Sequence, residues 1–303
     1  MYFDKQKPLD IVLNDLFAHY RDHVADVSKI TDALLANAVV SSQDDIVNDH
    51  IAFRTLGVPH LGIASFEKIF LAYGYQRRDH YYFEAKKLDA YWYAPPEPHY
   101  PRIFVSELQV KALSAEAQKI IQQYTDPINS DPVDSLALSN GQAVADFLQQ
   151  ALWPLPTAAD YQRLLEESEY AAWVIYNRYY LNHYTISIHE LKDGYNTLEE
   201  FNCFLEGIGV KLNTAGGKIK TSADGLLRQS STVSALYEAT FSDGRALEIA
   251  GSYVEFAERS PLPAFQHLAK DELKPEHRRD GFETNNADKI FESTYTGQIK
   301  GEQ

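Results

Sequence analysis

Two stretches of this chain repeat one order of elements, strand–helix–strand–strand–strand, and each opens on a strand that carries a histidine. In the first, Asp49-His50-Ile51-Ala52-Phe53-Arg54-Thr55 predicts a strand over 50–55. A helix follows from about Ile63 to Tyr73, with Phe66, Ile69, Phe70 and Tyr73 on its buried stripe. A hairpin rich in Tyr and Phe is expected over 80–95, and a last strand from Pro101 to Val110. In the second, His183–Ile188 reads as a strand and Leu198–Val210 as a helix. Thr197 is its expected N-cap, Glu200 completes a capping box, and Phe201, Phe204, Leu205 and Ile208 form the apolar stripe. Strands are expected at Lys218–Ser222, Ala235–Phe241 and Ser252–Arg259. The copies share little residue identity. What recurs is the element order and a histidine in the first strand, 133 positions apart. A chain built this way is constrained to an α+β fold in which two βαβββ modules close on each other as half-barrels.

The remaining segments attach to that frame. The expected division is a single domain over 1–303, with N-terminal helices in 1–45, the first module in 46–112, a helical insertion in 113–180, the second module in 181–260 and an extension in 261–303. Helical spacing of Leu9, Val12, Leu13, Leu16 and Phe17, continued by Ile30, Leu34 and Leu35, predicts two helices over 9–40. Helices are also expected near 113–124, 141–152 and 158–180, with a proline-containing loop at 126–134. Ala215-Gly216-Gly217 reads as a turn, and 281–294 as a structured segment that folds back on the core.

With 303 residues, 45% of them hydrophobic, the chain can bury a sizeable core. The net charge of -15 argues against a phosphate-backbone footprint, and so against nucleic acid as a partner. It leaves room for a small anionic substrate bound by a buried arginine. The lone cysteine, Cys203, permits no internal disulfide and is expected on an apolar helix face. Met1–Lys7 lacks an apolar signal core, and no stretch has the length of a membrane span. The expectation is a cytoplasmic protein without a membrane partner. The oligomeric state is left open.

The candidate chemistry lies on three strands. Side chains alternate across a strand, so His50, Ala52 and Arg54 share a face, as do His183, Thr185, Ser187 and His189, and as do Tyr253, Glu255 and Ala257. Two histidines and a carboxylate on rigid strands suit non-haem Fe(II) or a similar divalent ion, with positions left open for substrate and oxygen. The guanidinium of Arg54, near a metal, could clamp the far carboxylate of a 2-oxo acid. Thr185 and Ser187 are candidate substrate contacts. For Glu255, a salt bridge to Arg54 is the competing role, since a carboxylate flanked by apolar positions is costly to bury unpaired. Glu107 is expected at roughly the place in the first copy that Glu255 holds in the second. There it acts as a supporting carboxylate behind the ligands or as a fourth ligand, with the supporting role preferred. His189 is expected to face solvent at a strand end. No phosphate loop, nucleophile elbow or GxGxxG is present.

Asp-His-Ile-Ala-Phe-Arg-Thr at 49–55, Pro-Arg-Ile-Phe-Val-Ser-Glu-Leu at 101–108 and Gly-Phe-Glu…Ala-Asp-Lys-Ile-Phe-Glu-Ser-Thr at 281–294 resemble the DUF1338 family, which includes the 2-oxoadipate dioxygenase/decarboxylases. Tyr-Val-Glu-Phe-Ala-Glu-Arg at 253–259 is also similar to the metal-binding last strand of 4-hydroxyphenylpyruvate dioxygenases, within the vicinal-oxygen-chelate superfamily. The resemblance implies a vicinal-oxygen-chelate-like barrel and an Fe(II) site formed by His50, His183 and Glu255, with Arg54 holding the substrate carboxylate. It implies oxidative decarboxylation of 2-oxoadipate to 2-hydroxyglutarate in lysine breakdown, with O2 as co-substrate. Two further readings stay open. One is a redox-neutral lyase, isomerase or hydrolase of the same fold, which Glu107 as a fourth ligand would favour. The other is a non-catalytic barrel that binds a small anion.

Overall fold

The computed structural model of the protein describes residue 3 and residues 7–301. Each histidine-bearing strand is followed by a short amphipathic helix, because the apolar period changes from two to about 3.6 across an intervening turn. In the first half these are β1 (Asn48–Leu56) and α3 (Ile63–Ala72), then β2 (Gln76–Phe83), β3 (Leu88–Ala94) and β4 (Arg102–Leu108). In the second they are β5 (His183–Ser187) and α8 (Leu198–Gly207), then β6 (Lys220–Thr221), β7 (Leu227–Ser231) and β10 (Tyr253–Arg259). Helix α3 buries Ile63, Phe66, Ile69 and Phe70 against the sheet, each worth roughly 1.5–3 kcal/mol of apolar burial. Helix α8 starts where predicted: the Thr197 side chain accepts from the Glu200 amide.

All eight strands form one sheet in the order β2-β3-β4-β1-β5-β10-β7-β6. Read outward from the β1/β5 seam, the halves match: β1 with β5, β4 with β10, β3 with β7 and β2 with β6. In each half the first and last strands pair in parallel, and the seam itself is antiparallel. This sets the paired βαβββ architecture. The remaining helices are α1 (Pro8–His23), α2 (Ala25–Ala36), α4 (Ala115–Thr125), α5 (Gly141–Gln149), α6 (Ala158–Glu167), α7 (Glu169–Asn177), α9 (Thr284–Ile290) and α10 (Thr296–Lys300). Helix α9 packs on β2, β6 and β7, so it bridges the two free edges of the sheet and closes the open side of the half-barrel. The segment over 281–294 therefore folds back as expected.

Three expectations need correction. The strand at Ala235–Phe241 is present as β8 (Leu236–Thr240), but it pairs with β9 (Ala246–Ala250) in a separate hairpin outside the main sheet. Its expected place beside β10 belongs to β7, Leu-Arg-Gln-Ser-Ser, whose polar residues hide a strand from an apolar-alternation reading. Ser230 bonds Asn202 of α8 on one face, and Gln229 reaches Glu255 on the other. The helix over 158–180 is two helices, because Ser168 turns extended and caps α7 through the Ala171 amide. Cys203 lies on the exposed side of α8 rather than its apolar stripe.

Candidate metal centre

The seam brings the three candidate ligands together. Ala52 pairs with His183 and His50 with Thr185 across β1/β5, and Thr185 pairs with Glu255 across β5/β10. His50, His183 and Glu255 are all buried, and one ligand atom from each lies within 4.8 Å of the others. Nε2 of His50 is 3.3 Å from Nε2 of His183 and 3.5 Å from Oε1 of Glu255, and His183 Nε2 is 3.1 Å from Glu255 Oε2.

Both imidazoles are oriented by the residue that precedes them. His50 Nδ1 donates to Asp49 Oδ1 at 2.8 Å, and His183 Nδ1 to Asn182 Oδ1 at 3.1 Å. With each Nδ1 assigned as donor from its partner, both Nε2 lone pairs point into the same space. Two lone pairs and a carboxylate at these distances can converge on one cation, and neutral imidazole plus carboxylate is the donor set of an open facial site. The residues present therefore fit a divalent metal. Alternation alone would turn Asp49 away from His50. A bulge makes this contact possible: the register shifts between Asn48 and His50, with two steps on β1 against one on β5. Asp49 in turn accepts from Arg259 Nε at 2.6 Å and Nη2 at 2.9 Å. Burial would raise the Asp49 carboxyl, but Arg259 and Arg102 hold it well below the usual carboxylate range. Burial opposes charge on His50 too, yet Glu255 and Asp49 raise its pKa, whereas burial, His50 and Arg54 push His183 well down. Gln229 Nε2 donates to Glu255 Oε1 at 2.6 Å and is itself held by Asn286 of α9.

Arg54 is the other candidate on β1. It is 1% exposed. Nη1 donates to Thr294 Oγ1 at 3.0 Å and Nη2 to the Phe291 carbonyl at 3.2 Å. The guanidinium lies 5.1 Å from the ring centroids of both Tyr170 and Trp173 and 5.6 Å from that of Phe291. No ion pair joins it to a carboxylate among the described residues; Glu255 bonds the histidines and Gln229 instead. A buried guanidinium hydrogen-bonded only to neutral acceptors and packed on aromatic faces, with the Glu169 carboxylate in electrostatic reach but not ion-paired to it, could hold an anion. Beside the candidate ligands is a cavity of about 20 Å³, lined by them with Phe104, Gln229, Tyr253, Phe282, Ala287, Ile290 and Phe291; Arg54 lies behind the Tyr253 and Phe291 wall rather than on the cavity surface.

Other candidates fall elsewhere. Thr185 Oγ1 sits 3.1 Å from His50 Nε2, beside the ligands rather than on the open cavity. Ser187 lies four residues along β5 from His183, roughly 13 Å at the usual rise per residue. It lines a separate groove near Asp49, His189 and Arg259, so it is not a contact of the metal-centre cavity. Glu107 pairs with Thr55 on the opposite face from His50, and its Oε2 accepts from the Ile63 amide at 2.7 Å. It caps α3. The register gives the counterpart of Glu255: two steps beyond the histidine, β4 offers Phe104 opposite Ala52. The candidate centre thus gathers three potential ligands, and Glu107 is not placed to be a fourth or to support them. His189 is largely buried rather than solvent-facing, and its Nδ1 accepts from the Arg259 amide at 3.2 Å. Burial lowers its pKa to about 3.

The sequence reading missed Asp49, Asn182, Gln229, Arg259, Thr294 and the cavity wall from α9. One signal was available: an Asp or Asn directly before the first-strand histidine in both copies.

Three candidate ligands from three strands at the seam of two βαβββ halves give a vicinal-oxygen-chelate-like fold with a candidate metal centre. A family model described as 2-oxoadipate dioxygenase/decarboxylase matches residues 12–270, and the chain belongs to that family. It is 44% identical over 277 residues to the chloroplastic 2-oxoadipate dioxygenase/decarboxylase of Arabidopsis thaliana, covering 86% of this chain and 72% of the relative. It is 46% identical over 267 residues to the chloroplastic/amyloplastic enzyme of Oryza sativa subsp. japonica, covering 84% and 71%. Among solved structures, hydroxyglutarate synthase from Oryza sativa in complex with 2-oxoadipate superposes with a TM-score of 0.88 at 40% identity, over 99% of this chain and 96% of that one. A glyoxalase superfamily protein from Ralstonia eutropha shares the fold, with a TM-score of 0.68 at 22% identity over 84% of each chain. The expected cytoplasmic location is corrected by the plant relatives, which are chloroplastic or amyloplastic. Looking for an apolar signal core tests for export, and transit peptides are amphipathic instead.

Proposed function

We propose that the protein is a metal-dependent dioxygenase that decarboxylates 2-oxoadipate to 2-hydroxyglutarate, with Fe(II) held by His50, His183 and Glu255. This conversion places it in lysine breakdown. The observation that carries the substrate class is Arg54, a buried guanidinium without an ion-paired carboxylate, on the same strand face as His50. The relatives named for 2-oxoadipate and the neighbour holding it support the same reading. One 2-oxoadipate and one O2 balance as one 2-hydroxyglutarate and one CO2.

When bound, an Fe(II) ion would supply a Lewis-acidic, redox-active centre with positions open to the 2-oxo acid and to oxygen. The protein's own part is positional. Asp49 and Asn182 keep both imidazoles in the tautomer that presents Nε2, and Gln229 fixes the Glu255 carboxylate. Arg54 binds the far carboxylate and so aligns C1 and C2 with the centre. Phe104, Phe282, Ile290 and Phe291 keep bulk water out of the space where the reaction occurs. The redox-neutral reading loses its main support with Glu107 placed at the start of α3.

Arg54→Met tests the substrate assignment. Loss of a buried charge partner costs about 2–5 kcal/mol, so kcat/KM for 2-oxoadipate should fall by roughly thirtyfold or more, with metal content unchanged. Undiminished turnover of 2-oxoadipate would refute the role of Arg54.

A further inference from the structure

Two buried polar atoms, the hydroxyl of the cavity-lining Tyr253 and Nε of Arg54 behind it, have no hydrogen-bond partner of normal geometry. Tyr253 is fully buried, lines the cavity, and pairs with His183 across β5/β10. Its ring lies against the His183 imidazole, with centroids 4.8 Å apart. Its backbone carbonyl accepts from Tyr20, so the strand is pinned from behind. The hydroxyl oxygen faces the Arg54 guanidinium closely enough to feel its charge and to accept weakly from it, but neither the hydroxyl nor Arg54 Nε makes a hydrogen bond of normal geometry, and the O–H has no acceptor. A phenylalanine would make the same ring contacts, and an unmade buried hydrogen bond is destabilising. The fold therefore keeps two unsatisfied donors side by side, next to a site that must recognise an anion.

We propose that Tyr253 is a specificity-determining residue whose phenolic O–H, together with Arg54 Nε–H, binds the far carboxylate of the 2-oxo dicarboxylic acid. Each donor supplies one hydrogen bond to the carboxylate, and both are satisfied only when it is present. Arg54 supplies the charge, and Tyr253 supplies direction. The inference rests on the dicarboxylate reading above and adds a residue to it.

The test is calorimetric binding to the Fe(II)-loaded protein without oxygen, using 2-oxoadipate and 2-oxohexanoate, which has the same chain length but lacks the second carboxylate. The wild-type protein should prefer 2-oxoadipate. Tyr253→Phe should weaken 2-oxoadipate about tenfold or more, as expected for a hydrogen bond to a charged group, and leave 2-oxohexanoate unchanged. Thermal unfolding of the metal-free variant should occur at the wild-type temperature or above, because a buried unpaired hydroxyl has been removed. A purely structural tyrosine would give the opposite pattern. Retained wild-type discrimination, or equal weakening of both ligands, would overturn the role of Tyr253 and leave that of Arg54 standing. Failure of the wild-type protein to discriminate would refute the dicarboxylate reading and the paired donors with it. Should Tyr253→Phe fold poorly, Tyr253→Met carries the same prediction.

Discussion

Substituting Asp49 should affect metal affinity and folding stability together, by amounts set chiefly by His50 and Arg259, with Arg102 a longer contact at 3.5 Å. Asp49 accepts one hydrogen bond from His50 Nδ1 and two from Arg259, all at 2.6–2.9 Å and all buried. Removing an oriented acceptor behind a metal-ligating histidine costs about 10- to 100-fold in metal affinity, equivalent to about 1.4–2.7 kcal/mol. Removing the carboxylate also leaves Arg259 buried without its counter-charge, which for a broken buried pair costs about 3–5 kcal/mol. Asp49→Ala should show both losses in full. Asp49→Asn keeps a neutral acceptor for the imidazole and for one arm of Arg259, so its stability loss should be smaller, about 2 kcal/mol, since charge-assisted bonds are about twice as strong as neutral ones. The assays are chelator competition for metal affinity and denaturant unfolding of the metal-free protein. Both losses should persist at high salt, because the pair is shielded from solvent. If Asp49→Ala unfolds more easily yet binds metal as tightly as wild type, Asp49 serves Arg259 alone and the proposed orientation of His50 is refuted.

His189 should make the protein acid-sensitive. It is neutral when folded, with a pKa of about 3, against about 6.5 when unfolded. A depressed folded pKa contributes stability that is present above pH 6.5 and is lost progressively as pH falls towards 3. The loss is at most about 5 kcal/mol at 1.36 kcal/mol per unit, and His189→Gln should flatten that part of the stability–pH curve. Glu107→Gln should lower stability by about 1 kcal/mol, as for a weakened helix cap, and leave metal affinity unchanged; a drop in metal affinity would restore it to the site. Ile290→Ala removes cavity wall contributed by α9 and should shift kcat/KM towards 2-oxopimelate, one methylene longer, by about tenfold, measured with the two substrates in competition.

How much of this was legible in the sequence depended on what each segment buries. The histidine strands and helices α3 and α8 follow apolar period, so His50, His183 and Glu255 could be placed on strands from the chain alone. Strand β7 could not, because Gln229 and Ser230 meet polar partners on both of its faces. The position of Asp49 depends on one bulge, and a one-residue irregularity reverses which side chains share a face. Glu107 was misplaced for a related reason. Comparing the copies by approximate position aligned it with Glu255, whereas the strand register aligns Phe104. The closing role of α9 depends on both edge strands at once, and no local pattern carries it.

The central claim, that the three-ligand centre supports oxygen-dependent decarboxylation of 2-oxoadipate, is tested most directly by oxygen uptake and CO2 release. The Fe(II)-reconstituted protein would be supplied with 2-oxoadipate, and His183→Ala would be run in parallel. The account predicts equal amounts of oxygen consumed, CO2 released and 2-hydroxyglutarate formed, with none of these in the variant. Iron bound without oxygen uptake in the wild-type protein, or uptake that survives the loss of His183, would contradict it.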